Sequence, residues 1–381
     1  MNRVPVRALI AAMALGLMAL FVAACGSSSS DDSSGNSEQL AVKLTDAGCE
    51  PHDANAKAGP IDFKVENGGS ASVTEFEVLE GETILGEREN ITEGLSGSFS
   101  LTLEEGEYTM RCNGGTEEDG TLKVTGELEA KSSPEVEEAI DTYKKYLLKN
   151  SEELTEKTKP FVAAVIAGNI AKAKELYAAP RVNYERIEPV AESFGDLDPR
   201  IDARENDVPK SEFRGFHRLE KALWDEETTK NMEPVAEELL ENVEELEELI
   251  KGKVKIHAVE IANGANELLT EVSTSKITGE EERYSHIDLV DFKGNVEGAR
   301  DAFQSIAPLM EEKDPALVEE VEKDFEAVYA ALKPYETSKW PGFVLYTELT
   351  KADTRKLAQV IDTLAEKLSL VPAQIAQGES A

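Results

Sequence analysis

The sequence predicts a multidomain protein in which an N-terminal all-β sandwich is followed by an all-α helical bundle, the whole preceded by an export signal. Three observations carry this reading. Short apolar runs alternate with polar residues and are cut by glycine-rich turns as far as about Glu127. Beyond that point apolar residues recur at helical spacing. At the other end, an apolar stretch stops at a cysteine before it reaches the length of an ordinary spanning helix.

The elements follow in chain order. Arg3 and Arg7 make a positive opening, Ala8 to Val22 is apolar and rich in small residues, and Val22-Ala23-Ala24-Cys25 closes it, an ending that resembles the bacterial lipobox. Residues 1–24 are therefore expected to be a lipoprotein signal peptide, with Cys25 the lipidated first residue of the mature chain. Residues 25–38, dominated by serine with two aspartates and few apolar groups, read as a flexible tether to the membrane. The β-domain is placed at 39–127, where Ile61-Asp62-Phe63-Lys64-Val65, Phe76-Glu77-Val78 and Phe99-Ser100-Leu101-Thr102-Leu103 alternate as half-buried antiparallel strands do. The helical domain is placed at 133–375. Val136, Ile140, Tyr143 and Leu147 form its first stripe, opened by Ser133 as N-cap and Pro134 at the first helical position. Further helices are expected at about 151–178, 183–194, 211–224, 232–250, 257–274, 295–311, 315–332 and 351–370.

Charge narrows the partners. The chain carries 40 basic and 76 acidic residues, a net of −36, which repels nucleic acid and anionic lipid surfaces and concentrates cations nearby. Most of those acids belong to solvated helix faces and identify no site by themselves.

The segment Gly215-Phe216-His217-Arg218-Leu219-Glu220 is more specific, because His217 and Glu220 are three apart and share one helix face, where they can grip one metal ion. His257-Ala258-Val259-Glu260 has the same spacing without the glycine, so the spacing alone proves little. In the β-domain, Gly106 to Cys112 and Gly120 to Val124 resemble the last two strands of a cupredoxin. Asn113 to Asp119 contain neither histidine nor methionine, so a blue-copper centre cannot be assembled there. Two readings of Cys49 and Cys112 stay open: a disulfide, as exported domains usually form, or thiolate ligands for copper or iron together with Glu75 or Glu77 and with Glu89.

Taken together, these features resemble the EfeO family of iron-uptake lipoproteins: a cupredoxin-like unit with Cys49 and Cys112, then Glu87-Arg88-Glu89-Asn90-Ile91, Arg181 to Pro189, the Gly-X-His-X-X-Glu motif, and Gly279 to Leu289. The resemblance implies a cupredoxin-like sandwich joined to an imelysin-like bundle, exported and lipid-anchored at the outer face of the cytoplasmic membrane. It implies an iron-binding component of a system with a membrane iron permease and a haem-peroxidase-type partner, and no nucleic acid. It assigns His217, Glu220, Glu271 and Asp288 as metal ligands. A second metal site would use Cys49, Glu75, Glu89 and Cys112. Glu185, Tyr284 and His286 would support the first site, and Glu188 shares a helix face with Glu185. Imidazole with carboxylates suits iron, and also zinc or manganese, so the residues do not choose the metal; copper is the further cofactor considered.

Two other functions are weighed. Imelysin-type proteins have been classed as metallopeptidases, yet the chain has no His-Glu-X-X-His helix: Arg218 and Lys221 stand where that glutamate and second histidine belong. Binding of an anionic ligand such as a polysaccharide or haem would draw on Trp224 and Trp340, against the unfavourable net charge.

Overall fold

The structure is a computed structural model that describes residues 38–379 apart from 82, 128–132, 196, 253–255 and 312. The expected signal peptide, Cys25 and residues 25–37 of the tether lie outside the described residues. No described helix is long and apolar enough to cross a membrane.

Nine described strands form two facing sheets. One has the order β2-β1-β4-β7, from Gly48–Glu50, Glu38–Thr45, Gly59–Asn67 and Ser96–Leu103. The other has the order β3-β9-β8-β5-β6, from Ala54–Lys57, Asp119–Thr125, Gly106–Arg111, Phe76–Glu80 and Thr83–Arg88. Alternation along β4 and β7 places Phe63 opposite Phe99, and these two rings stack at 5.0 Å with Phe76 beside them as the centre of the core. Cys49 on β2 and Cys112 just after β8 form a disulfide between the two sheets.

The helical domain begins at α1, Pro134–Ile166, whose N-cap Ser133 accepts the Val136 N–H at 3.3 Å. The helix expected to restart near 151 does not. Asn150 and Ser151 look like a break in sequence, but Ser151 donates to the Leu148 carbonyl, and Asn150 donates to the Tyr146 carbonyl while accepting from Asn183 on the next helix. Their polar groups are satisfied inside the helix pair, so α1 runs on. It stops at Gly168, which takes φ +73°, and Asn169 then caps α2, Ile170–Ile187. A 3-10 turn at Glu188–Phe194 leads to α3, Leu197–Asp202, and α4, Gly215–Trp224. The remaining helices are α5 (Glu233–Gly252), α6 (Ala258–Thr274), α7 (Asp288–Ile306), α8 (Pro315–Leu332), α9 (Lys351–Leu368) and α10 (Val371–Glu379).

Two glycines of α7 set the packing on α2. A Cβ at Gly294 would collide with the Glu185 side chain and one at Gly298 with the Arg186 backbone, so these helices approach more closely than larger residues allow. The β-sandwich packs on α6, where Asn263 donates at 2.6 Å to the Ser100 carbonyl of β7.

Candidate metal centre

Gly215 explains the geometry of its motif. It opens α4 at φ +73°, and any Cβ there would overlap the Ile201 carbonyl oxygen, so only glycine lets the start of α4 press against the end of α3. That contact brings His217 to Asp202, the last residue of α3.

The His217 ring is 2 % exposed and makes a different contact on each nitrogen. Nδ1 lies 3.3 Å from Glu220 Oε2. The other oxygen of Glu220 accepts the backbone N–H groups of Tyr284 and Ser285, each at 2.7 Å. Glu220 is thus fixed by the 279–286 loop and in turn fixes the ring. Nε2 has no hydrogen-bond partner, and stands 3.4 Å from Asp202 Oδ1 and 3.6 Å from Glu281 Oε1. Donors held around one ion at about 2.0–2.2 Å are themselves separated by roughly 3–3.5 Å, so the two distances from Nε2 are close to what a shared metal requires, with all three donor atoms within 4.8 Å of one another. A buried imidazole nitrogen without a partner, facing two carboxylates, is the donor set of a borderline-to-hard cation.

Of the four ligands expected from sequence, His217 turns Nε2 toward Asp202 and Glu281, and Glu220 sits on the Nδ1 side, where a carboxylate can orient a metal-binding histidine. Glu271 and Asp288 are not in the group of donors around Nε2. Glu271 faces Arg204, 3.7 Å away, and Lys276, 3.9 Å away. Asp288 opens α7, and its Oδ1 accepts the Glu282 N–H at 3.2 Å, so it shapes the loop that carries Glu281. Asp202 and Glu281 are the carboxylates that lie with His217 in a group able to hold a metal. Glu282 also lies within 4.8 Å of the His217–Glu220 pair, with Oε1 bonded to Tyr177 and Arg181 and Oε2 to Ser285, and Arg181 likewise reaches Asp202 Oδ1 and Glu281 Oε1.

The residues expected to support the site make the following contacts. Tyr284 contributes its backbone N–H to Glu220, while its hydroxyl reaches Glu205. His286 takes φ +58° and its carbonyl accepts the Tyr346 N–H. Glu185 and Glu188 bind Lys276. Lys221, at the position of a peptidase's second histidine, pairs with Glu205.

Three cations hold this acidic interior together. Arg181 on α2 is fully buried and touches Glu185 and Asp202, with Asp291 at 3.0 Å, Glu282 at 3.1 Å and Glu281 at 3.4 Å. Arg204 holds Glu281 Oε2 at 2.9 Å, and Glu281 Oε1 is shared among Arg181, His217 and Lys276, the last at 3.8 Å. Burial disfavours charge on all of these groups, but the partners decide the outcome for the donors. Lys276, His217 and Arg204 hold the Glu281 carboxyl well below its usual range. For His217, the Glu220 and Glu281 carboxylates outweigh burial and lift the ring above its ordinary value. Asp288 and Asp291, with less compensation, are pushed up to about 7 by burial. A cleft of about 430 Å³ opens onto this group, lined by Asp202, Arg204, Glu271, Lys276 and Glu281 and, from the β-domain, Glu89 and Asn90.

In the β-domain the disulfide takes Cys49 and Cys112 out of the thiolate ligands expected there, because neither sulfur is left to donate. Glu75 instead lies with Glu77 and Glu87, their oxygens within 4.8 Å of one another, and burial pushes Glu75 up to about 7. Glu89 lines the cleft.

Comparison with known proteins agrees with this architecture. The imelysin family model matches residues 139–371, and a cupredoxin-like domain model matches 15–124. The iron uptake system component EfeO of Escherichia coli K12 is 40% identical over 367 residues, covering 94% of this chain and 96% of that protein. This chain belongs to the EfeO family. EfeO of Shigella flexneri matches to the same extent. A crystal structure described as an iron-regulated protein A precursor from Parabacteroides distasonis shares the fold, with a TM-score of 0.51 at 16% identity over 65% of this chain and 97% of that one. The EfeO family thus accounts for the sandwich, the bundle and a role in iron uptake.

Proposed function

We propose that this chain is the exported, lipid-anchored component of an iron-uptake system that captures iron at Asp202, His217 and Glu281 and delivers it to a membrane permease, with a haem-peroxidase-type protein as the other partner. The unpartnered Nε2 of His217, 3.4 Å and 3.6 Å from two carboxylates, carries the capture reading. Glu220 directs Nε2 toward the ion, and Arg204 does the same for Glu281 Oε1. Release needs a change in that balance, and the cleft gives a partner access to Asp202 and Glu281. Family membership supports iron as the cargo.

Titration of the purified chain with ferrous and ferric ions tests the capture. His217→Ala and the Asp202→Asn, Glu281→Gln double variant are expected to lose the helical site while the fold, read by circular dichroism, is retained. Unchanged affinity and stoichiometry in both would remove the centre. Fatty-acid labelling lost on Cys25→Ala is the expected result for the anchor.

A further inference from the structure

The chain has only two tryptophans, and they stack on each other, 6.3 Å between centroids and 13° between planes. Trp340 is 45% exposed and held in place by its Nε1–H, which donates at 3.1 Å to the Glu175 carbonyl. Trp224, behind it, meets the buried Tyr177 edge-on at 5.2 Å. The Tyr177 hydroxyl donates at 3.1 Å to Glu282 Oε1, and Glu282 lies within 4.8 Å of His217 and Glu220. An unbroken series of rings therefore runs from the surface to the wall of the metal centre.

We propose that Trp340, Trp224 and Tyr177 form an electron-transfer path by which a strong one-electron oxidant at the protein surface oxidises ferrous iron held at the His217 centre. The proposal rests on the reading of that centre as an iron site. Indole and phenol are the side chains that give up an electron most readily among those packed here. The other rings against Tyr177, Phe161 at 5.5 Å and Phe216 at 6.2 Å, resist oxidation and confine the charge to the path.

The electrons balance without a further reactant. The oxidant takes one electron from Trp340, and the vacancy passes to Trp224 and then to Tyr177. While that ring is oxidised, its phenol proton rests on Glu282 Oε1. Ferrous iron then refills the ring, the proton returns, and the net change is one ferrous ion made ferric and one oxidant reduced by one electron. Lys174 stands 5.2 Å from the Trp224 ring centre, and its positive charge makes that ring harder to oxidise, so the path serves only an oxidant of high potential. Ferric iron is the harder cation and binds carboxylates more firmly, so oxidation in place secures the cargo without opening the buried site.

Flash photolysis tests the path. The full chain, loaded with Fe²⁺ or with redox-inert Zn²⁺, is mixed with tris(bipyridine)ruthenium and a sacrificial acceptor, and a laser pulse makes the ruthenium(III) complex, a bulky one-electron oxidant. In the unaltered chain the photogenerated radical, indole and phenoxyl signals taken together, is expected to decay about tenfold faster with Fe²⁺ than with Zn²⁺, a difference equal to about 1.4 kcal/mol in barrier. Trp224→Phe is expected to abolish that difference while the bound-metal stoichiometry is unchanged. Tyr177→Phe, as a second variant, should act likewise. Iron-dependent decay that persists undiminished in both overturns the path. Iron that binds His217→Ala as well as the unaltered chain overturns the site assignment and the path with it, a failure distinguished by titration before any flash.

Discussion

Glu220 is tied to His217 at 3.3 Å, and through its second oxygen to two backbone N–H groups of the 279–286 loop. The motif's glutamate is therefore the part that joins α4 to the loop bearing Glu281. Glu220→Gln keeps the size but offers an amide where a charged acceptor stood. Metal affinity is expected to fall by about 10–100-fold, the usual effect of removing an orienting carboxylate. Calorimetric titration checks this, and an unchanged affinity would place Glu220 outside the centre.

Gly215→Ala should do more harm than its single methyl group suggests. The added Cβ overlaps the Ile201 carbonyl at a residue already at φ +73°, so α4 must move away from α3 and His217 from Asp202. Loss of metal binding with most helical content retained is expected, as is a lower melting temperature. An alanine variant that binds metal normally would show that the close approach is dispensable.

Arg181→Met leaves the buried acids around it without their main counter-charge. Removing one partner from a buried ion network destabilises by about 3–5 kcal/mol. Since a divalent cation can supply part of the missing charge, added metal should raise the melting temperature more in the variant than in the unaltered chain. Scanning calorimetry with and without metal measures both, and equal metal-free melting temperatures would count against the role given to Arg181.

Glu267 gives the domain contact a pH dependence. It lines a small pocket with Arg88 and Glu89 of the β-domain, and burial pushes it up to about 8, with Arg88 opposing and Glu89 adding to the rise. Because the folded chain holds this proton more tightly than the unfolded one, the contribution to stability is complete below the unfolded carboxylate value of about 4.3 and is lost as pH rises through about 8. Glu267→Gln should flatten that decline and melt higher than the unaltered chain at pH 9 or so. Parallel melting curves for the two proteins across that window would refute it.

Much of the fold was legible because it depends on local rules. The change of period near Glu127, the Ser133-Pro134 start and the apolar spacing of α8 and α9 are each written within a few positions. The continuity of α1 was not, since Asn150 is satisfied partly by Asn183 on another helix. His217 and Glu220 could be found because glycine, histidine and glutamate stand together. Asp202 could not: it ends a six-residue helix in a chain with 76 acids, and only the contact of Gly215 with Ile201 makes it a neighbour of His217. Glu281 was within the segment singled out, yet Asp288 was preferred there, because sequence does not tell a carboxylate that shapes a turn from one that faces a cavity.

Buried acids crowded together repel one another unless a positive charge lies among them. Arg181, Lys276 and Arg204 supply that charge from the chain itself, so the pocket around Glu281 is built to keep its shape with no ion inside, and on the reading proposed above an arriving ion would meet a site already formed.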